Sequence, residues 1–194
     1  MRASKRDHIV DAATALIRRD GVRAASIAKI IAASESSAGS VYHHFANKNE
    51  IVLAVARKAL VEPLEATLAA QEGQALSPGT LLRLLSGAVV DGTVDSSLIV
   101  QLWAGAADEP QLGLIVREQM EGVRRRATAG LVTYLREQGV ADAELRANLL
   151  AVLTMGQMMG LLAQRTMIPD FDQVAYLQAA SRMLDAAALG RLPA

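Results

Sequence analysis

The sequence predicts an all-α protein, and three observations carry that prediction. Apolar residues recur at i, i+3, i+4 through most of the 194 residues, the spacing of amphipathic helices. Helix-start and helix-stop residues punctuate those stretches, among them Ser77 with Pro78, Gly92 and Gly139. No strand-like run bounded by turn residues occurs, nor any internal repeat or low-complexity tail.

The first helix starts at a capping box, Ser4 with Asp7 three residues on, and runs through Ile9, Ala13, Leu16 and Ile17 to a stop before Gly21. Ser26 to Phe45, SIAKIIAASESSAGSVYHHF, then reads as two short helices joined by a tight, Ser-rich turn. Ile27, Ile30 and Ile31 give the first of them one apolar stripe, which needs a partner to cover it. Ser37 offers its side-chain oxygen to the free N–H groups of the second, on which Ala38, Val41 and Phe45 are expected inward. At about 100° per residue, the opposite face carries Gly39, Ser40 and His43, with Tyr42 and His44 on the flanks. A face so polar and slim is shaped to enter a groove rather than to complete a core.

Asn47 with Glu50 repeats the capping-box pattern and opens a long helix through Ile51, Val55, Ala59 and Leu60 toward Gln71. Pro63 lacks an N–H and is expected to kink or break it. The domain boundary is expected inside this helix, with residues 1–48 forming a small domain and 49–194 a larger one. Further helices are expected near 78–91, 96–107, 110–138, 143–166 and 173–188, about nine in all. Asp95, Asp142 and Asp170 or Asp172 are the cap candidates.

Charge is distributed unevenly behind a net value of zero. Residues 1–60 hold ten Lys or Arg against five Asp or Glu, whereas residues 61–194 hold ten against fifteen. All four lysines and all three histidines lie in the first part. A basic end on an acidic body suits a polyanion partner at that end only. Lys5, Arg6 and Lys48 stand in the first turns of their helices, where a cation opposes the helix dipole and a nearby phosphate would justify it. The chain has no cysteine, and its most apolar run, Leu149 to Leu162, is interrupted by Thr154 and Gln157. Fourteen residues are fewer than the ~20 a membrane helix needs, and no signal segment opens the chain, so a soluble cytoplasmic protein is expected.

Catalytic motifs are absent: there is no dinucleotide fingerprint, phosphate loop or HExxH pair. His43 and His44 are adjacent, so on a helix they point about 100° apart and cannot chelate one metal together. No catalytic residue, metal or cofactor is expected.

The segment from Lys5 to about Lys58 resembles the DNA-binding domain of TetR-family transcriptional regulators. The residues that carry the resemblance are Ile9 to Ile17, Gly21, Ser26, Ile27, Ile30, Ala33, Ser37, Gly39, Tyr42, His44, Phe45 and Lys48. The chain departs from the pattern at Ile31, Glu35, Ser36 and Ala38, where Ala, Gly, an apolar residue and Lys are usual. If Glu35 takes a positive φ, the turn costs about 1 kcal/mol. The resemblance implies an N-terminal three-helix helix-turn-helix domain and a larger helical domain for effector binding and dimerisation. It implies DNA contacts from Ser26, Ser37, Ala38, Gly39, Ser40, Tyr42, His43, His44 and Lys48, with Ser26, Tyr42 and Lys48 on phosphates.

Family members dimerise through their last two helices as a four-helix bundle. The helix from about 143 is apolar on nearly every side, and Gly156 and Gly160 would allow close approach, so Leu153, Gly156, Met159, Gly160, Leu177 and Leu184 are the expected interface. Trp103, Met120, Tyr134, Met155 and Met158 are candidate effector contacts, with Gln101 and Thr133 the nearest polar groups. The expected function is a ligand-responsive repressor that binds a near-palindromic operator as a homodimer and is released by a small, largely apolar effector. The alternative is a helical bundle that binds a ligand or protein and has no specific DNA target.

Overall fold

A computed structural model describes residues 4–190, and among them every regular element is helical. In chain order the helices are α1 (Lys5–Ala24), α2 (Ile27–Ala33), α3 (Ala38–His44), α4 (48–69), α5 (Pro78–Val90), α6 (Ser96–Gly105), α7 (Pro110–Glu137), α8 (Ala143–Met167) and α9 (Gln173–Ala188). These nine helices match the expected ones to within two residues at nearly every end. The agreement follows from local capping. Ser4, Ser26, Ser37, Asn47, Ser77 and Asp172 each accept a backbone N–H from the first turn they precede. Ser4 and Asp7 complete a reciprocal box, and the chain turns out of α5 and α7 through Gly92 and Gly139 at positive φ.

Three local expectations need correction. Asp142 precedes α8 but makes no side-chain cap bond. Glu50 reaches back to the Ala46 N–H instead of the N–H of Asn47, so the box at α4 is one residue wider than expected. Pro63 neither breaks nor ends its helix: α4 runs as Lys48–Ala56, a π-helical turn over Arg57–Val61, and Glu62–Ala69. The π-turn, in which the Glu62 N–H donates to the Arg57 carbonyl five residues back, absorbs the disruption just before the proline.

The chain divides into two compact units, one formed by the residues up to Glu62 with Ser97–Gln119, the other by Pro63–Ser96 with the chain from Met120 on. In the first unit α1 packs against α2, α3 and α4, around Ile9, Ile17, Ile30, Val41, Phe45 and Ile51, all nearly excluded from solvent. Gly21, at φ 80°, puts a non-helical turn inside α1 rather than ending it. Gly105 of α6 lies under that turn so closely that a Cβ there would be 2.7 Å from a methyl of Val22.

The second unit packs α5, α8 and α9 together, with Leu131 and Leu135 of α7 in the same core. Its tightest joint is at Gly79, whose N–H donates to the Asp185 carboxylate at 2.8 Å, while the Ser181 hydroxyl donates to the Gly79 carbonyl at 3.2 Å. α8 spans 25 residues and is long and apolar enough to cross a membrane by length and composition, longer than the fourteen-residue apolar run suggested. Its Leu150, Ala151, Met158 and Leu161 are instead buried in this helical core.

Candidate nucleic-acid interface

The small unit presents α3. Two turns fix it from its ends: Ser37 accepts the Ser40 N–H at 3.1 Å, and Phe45, buried, ends it with an N–H bond to the Val41 carbonyl. Val41 and Phe45 anchor the helix to the core and force the residues between them outward. Tyr42 is 53% exposed, and Gly39 and His43 are exposed beside it. A Cβ at Gly39 would meet nothing within 4 Å, so space in front of the helix is open. Ser40 and His44 are half-buried. Ala38, expected inward, is exposed at the start of α3. One turn before Val41, it lies beyond the edge of the core that Val41 and Phe45 cover, and so joins the outer face.

The turn before α3 carries the strain anticipated for it. Glu35 adopts φ 50°, a conformation that costs a side-chain-bearing residue about 1 kcal/mol. Ser34 and Ser36 hydroxyls donate to the carbonyls of Ile31 and Ser34, satisfying backbone acceptors there.

Among the flanking residues, Ser26 is exposed and caps α2 through the Lys29 N–H. Lys48 opens α4 and donates from Nζ to the Arg23 carbonyl at 3.2 Å. This bond supplies a reason for a lysine at a helix start that needs no phosphate, since the ammonium satisfies a carbonyl at the end of α1. Arg6 stacks its guanidinium over the Phe45 ring at 5.1 Å, a cation–π contact that likewise occupies a first-turn cation. His43 and His44 meet edge to face at 5.1 Å between ring centres. Among the described residues no group of three His, Cys, Asp or Glu is placed to hold a metal.

A family model described as "Bacterial regulatory proteins, tetR family" matches residues 9–55, the segment that builds this face. The HTH-type transcriptional regulator BetI of Cronobacter sakazakii (strain ATCC BAA-894) is 29% identical over 164 residues, spanning 80% of this chain and 78% of that protein. Residues 9–55 thus match the N-terminal domain of tetR-family regulatory proteins, and most of the chain is similar to a transcriptional regulator. Solved structures agree on the fold: a transcriptional regulator from Rhodococcus sp. Rha1 superposes with a TM-score of 0.72 at 22% identity, covering 98% of this chain and 100% of that one. The multidrug binding protein EbrR, solved with imidazole, gives 0.64 at 21% identity over 100% of this chain and 98% of that one.

The matched segment contains α3. The residues expected at other sites are distributed as follows. Tyr134, Met155 and Met158 gather at the core of the second unit, Met158 buried and the other two packed against it. Met120 is half-buried where α7 enters that unit. Trp103 belongs to the first unit, and its ring N–H is buried without a hydrogen-bond partner. Gln101 turns its side chain toward Gly21. Thr133 lines a surface recess of about 180 Å³ together with Leu68, Glu72, Leu76 and Arg126.

Of the six expected interface residues, Leu153, Gly156 and Met159 lie on an exposed face of α8. That face continues through Leu145, Leu149 and Val152, all exposed. Leu177 and Leu184 are not on it: they are packed into the core of their own unit, Leu184 with 2% of its surface exposed. Gly160 faces the Tyr176 hydroxyl, 3.0 Å from where its Cβ would be, within the joint of α8 and α9. The exposed apolar row on α8 had no distinct sequence signal, because the helix is apolar on its buried side as well.

Proposed function

We propose that this chain is a TetR-family repressor that binds a near-palindromic operator as a homodimer and is released by a small, largely apolar effector. The observation that carries the reading is α3 itself, a helix whose exposed face holds Gly39, Tyr42 and His43 at the basic end of the chain. Residues 1–48 act as the reading head and residues 49–194 as the effector and dimer domain. Ser26, Tyr42 and Lys48 position the head on phosphates, while Gly39, Ser40 and His43 face base edges in the major groove, with Ser37, Ala38 and His44 at the same surface. Such a small set limits direct readout, so DNA shape supplies part of the specificity.

The row Leu145, Leu149, Val152, Leu153, Met159 is 42–76% exposed in the single chain. A contiguous apolar row of this kind is covered by a partner in most soluble proteins, and a second copy places the same row against itself about a two-fold axis. Tyr134, Met155 and Met158 offer thioether and aromatic surface to an effector in the second unit. Regulators of this family work in the cytoplasm, where their DNA is.

Selection of genomic fragments by the purified dimer tests the DNA arm: an enriched common sequence with two similar half-sites is expected. If nothing is enriched, the chain is a binding bundle without a DNA target. Screening compounds by the fluorescence of Trp103, the single tryptophan, tests the effector arm. Linkage requires the effector and operator to weaken each other's binding by one common factor, so a compound that binds and leaves operator affinity unchanged removes the release mechanism.

A further inference from the structure

Gln119 is a buried polar side chain with 7% of its surface exposed. Its Nε2 donates to the carbonyl of Leu60 at 3.3 Å, joining α7 to α4 across 59 residues of sequence. Leu60 lies in the π-turn of α4, where the hydrogen-bond register of the helix widens from four residues to five. The carboxamide therefore satisfies an acceptor in the irregular stretch, and burying it without that partner would be costly. The bond also sits where both helices leave the first unit, which α4 does between Glu62 and Pro63 and α7 between Gln119 and Met120.

The reading head is seated on the half of α4 that precedes the π-turn, through packing of α1 against α4 and the buried Ile51, Val52 and Val55. A dimer recognises two half-sites only if the spacing of its two heads is fixed. We propose that Gln119 is a positioning residue for operator binding: its bond to Leu60 latches the π-turn and fixes the course of α4, and with it the presentation of α3. This inference rests on the proposed dimeric, operator-binding function and adds a residue far from the DNA-reading face.

The test compares wild type with Gln119→Met, which keeps length and apolar bulk and removes the donor, and with Gln119→Glu. The DNA probes are the operator enriched by wild type and a random duplex of equal length. Gln119→Met is expected to remain folded and dimeric and to bind random duplex as wild type does, but to bind operator about tenfold more weakly, the worth of one good hydrogen bond. Gln119→Glu is expected to gain a pH profile that wild type lacks. Burial raises the carboxyl pKa; protonated, it donates to Leu60 and operator binding is strong, and as it ionises with rising pH, binding falls. Operator affinity of Gln119→Met equal to wild type overturns the proposal, as does an equal loss on both DNAs or a loss of fold, either of which leaves Gln119 a purely structural residue. If wild type enriches no operator, the DNA-reading function has failed and the latch is judged by hydrogen exchange: faster exchange of the 57–69 amides in Gln119→Met supports it, and unchanged exchange overturns it.

Discussion

Replacing Gly79 by alanine should loosen the second unit far more than a methyl group ordinarily does. A Cβ there would stand 2.5 Å from Oδ2 of Asp185 and 2.6 Å from the Ser181 carbonyl oxygen, inside the 3.0 Å that real Cβ atoms essentially never cross. The Asp185 side chain can swing away, but it then releases the Gly79 N–H it holds at 2.8 Å. The Ser181 carbonyl belongs to the backbone of α9 and moves only with that helix. Overpacking costs about 1–3 kcal/mol, and losing a bond to a charged acceptor adds about 1.5–3 kcal/mol. Alanine's better helix propensity returns about 0.5–1 kcal/mol. The net is a destabilisation of about 2–5 kcal/mol, which for a chain of this size lowers Tm by about 5–15 °C. Gly87 lies in the same helix with no heavy atom within 4 Å of its would-be Cβ, so Gly87→Ala should hold or raise Tm and serves as the control. Melts followed by circular dichroism at equal protein concentration decide the matter, since association shifts Tm by mass action. A Gly79→Ala protein that melts with the Gly87→Ala control would refute the packing argument.

Leu153→Glu or Met159→Glu should yield a folded monomer in sedimentation, because each side chain is exposed in the single chain, at 46% and 42%. Leu184→Glu should instead unfold the chain, since it buries a charge in the core. Operator affinity should fall steeply with salt, by about 0.9 in log affinity per log salt for each phosphate neutralised; Tyr42→Phe should weaken all sequences alike, whereas His43→Ala should relax preference at one base position in a binding-site selection. At the start of α1, hydrogen bonds from the Ser4 side chain and backbone hold the Asp7 carboxyl below its ordinary value. A depressed carboxyl contributes stability above its unfolded pKa and loses it as pH falls through the folded one. Ser4→Ala should therefore raise the Asp7 pKa toward the ordinary value in an NMR titration and flatten the acid limb of the stability profile.

Helix positions were legible in the sequence because their causes are local. Ser4, Ser26, Ser37, Asn47 and Ser77 cap their helices through atoms three residues away, and Gly92 and Gly139 turn the chain where only glycine does so without strain. The exposed face of α3 was legible for the same reason. Once Val41 and Phe45 are inward, a 3.6-residue period leaves Gly39, Tyr42 and His43 outward. Tertiary structure decided what depends on residues distant in sequence. On α8, apolar all round, nothing local distinguishes Met158 in the core from Met159 at the surface, and only the packing of α5 and α9 assigns one side of that helix to its own chain. Leu177 and Leu184 have the same periodicity as interface residues and lie inside the monomer, because α5 covers them. The response to Pro63 was not legible locally either: a proline demands that the helix deform, but that α4 continues through a π-turn over Arg57–Val61 is seen only in the folded chain, where Gln119, 59 residues away, donates to the Leu60 carbonyl. Short-range hydrogen bonding thus set where each helix begins, ends and turns its polar side, and the choice of partner for each apolar side waited for the folded chain.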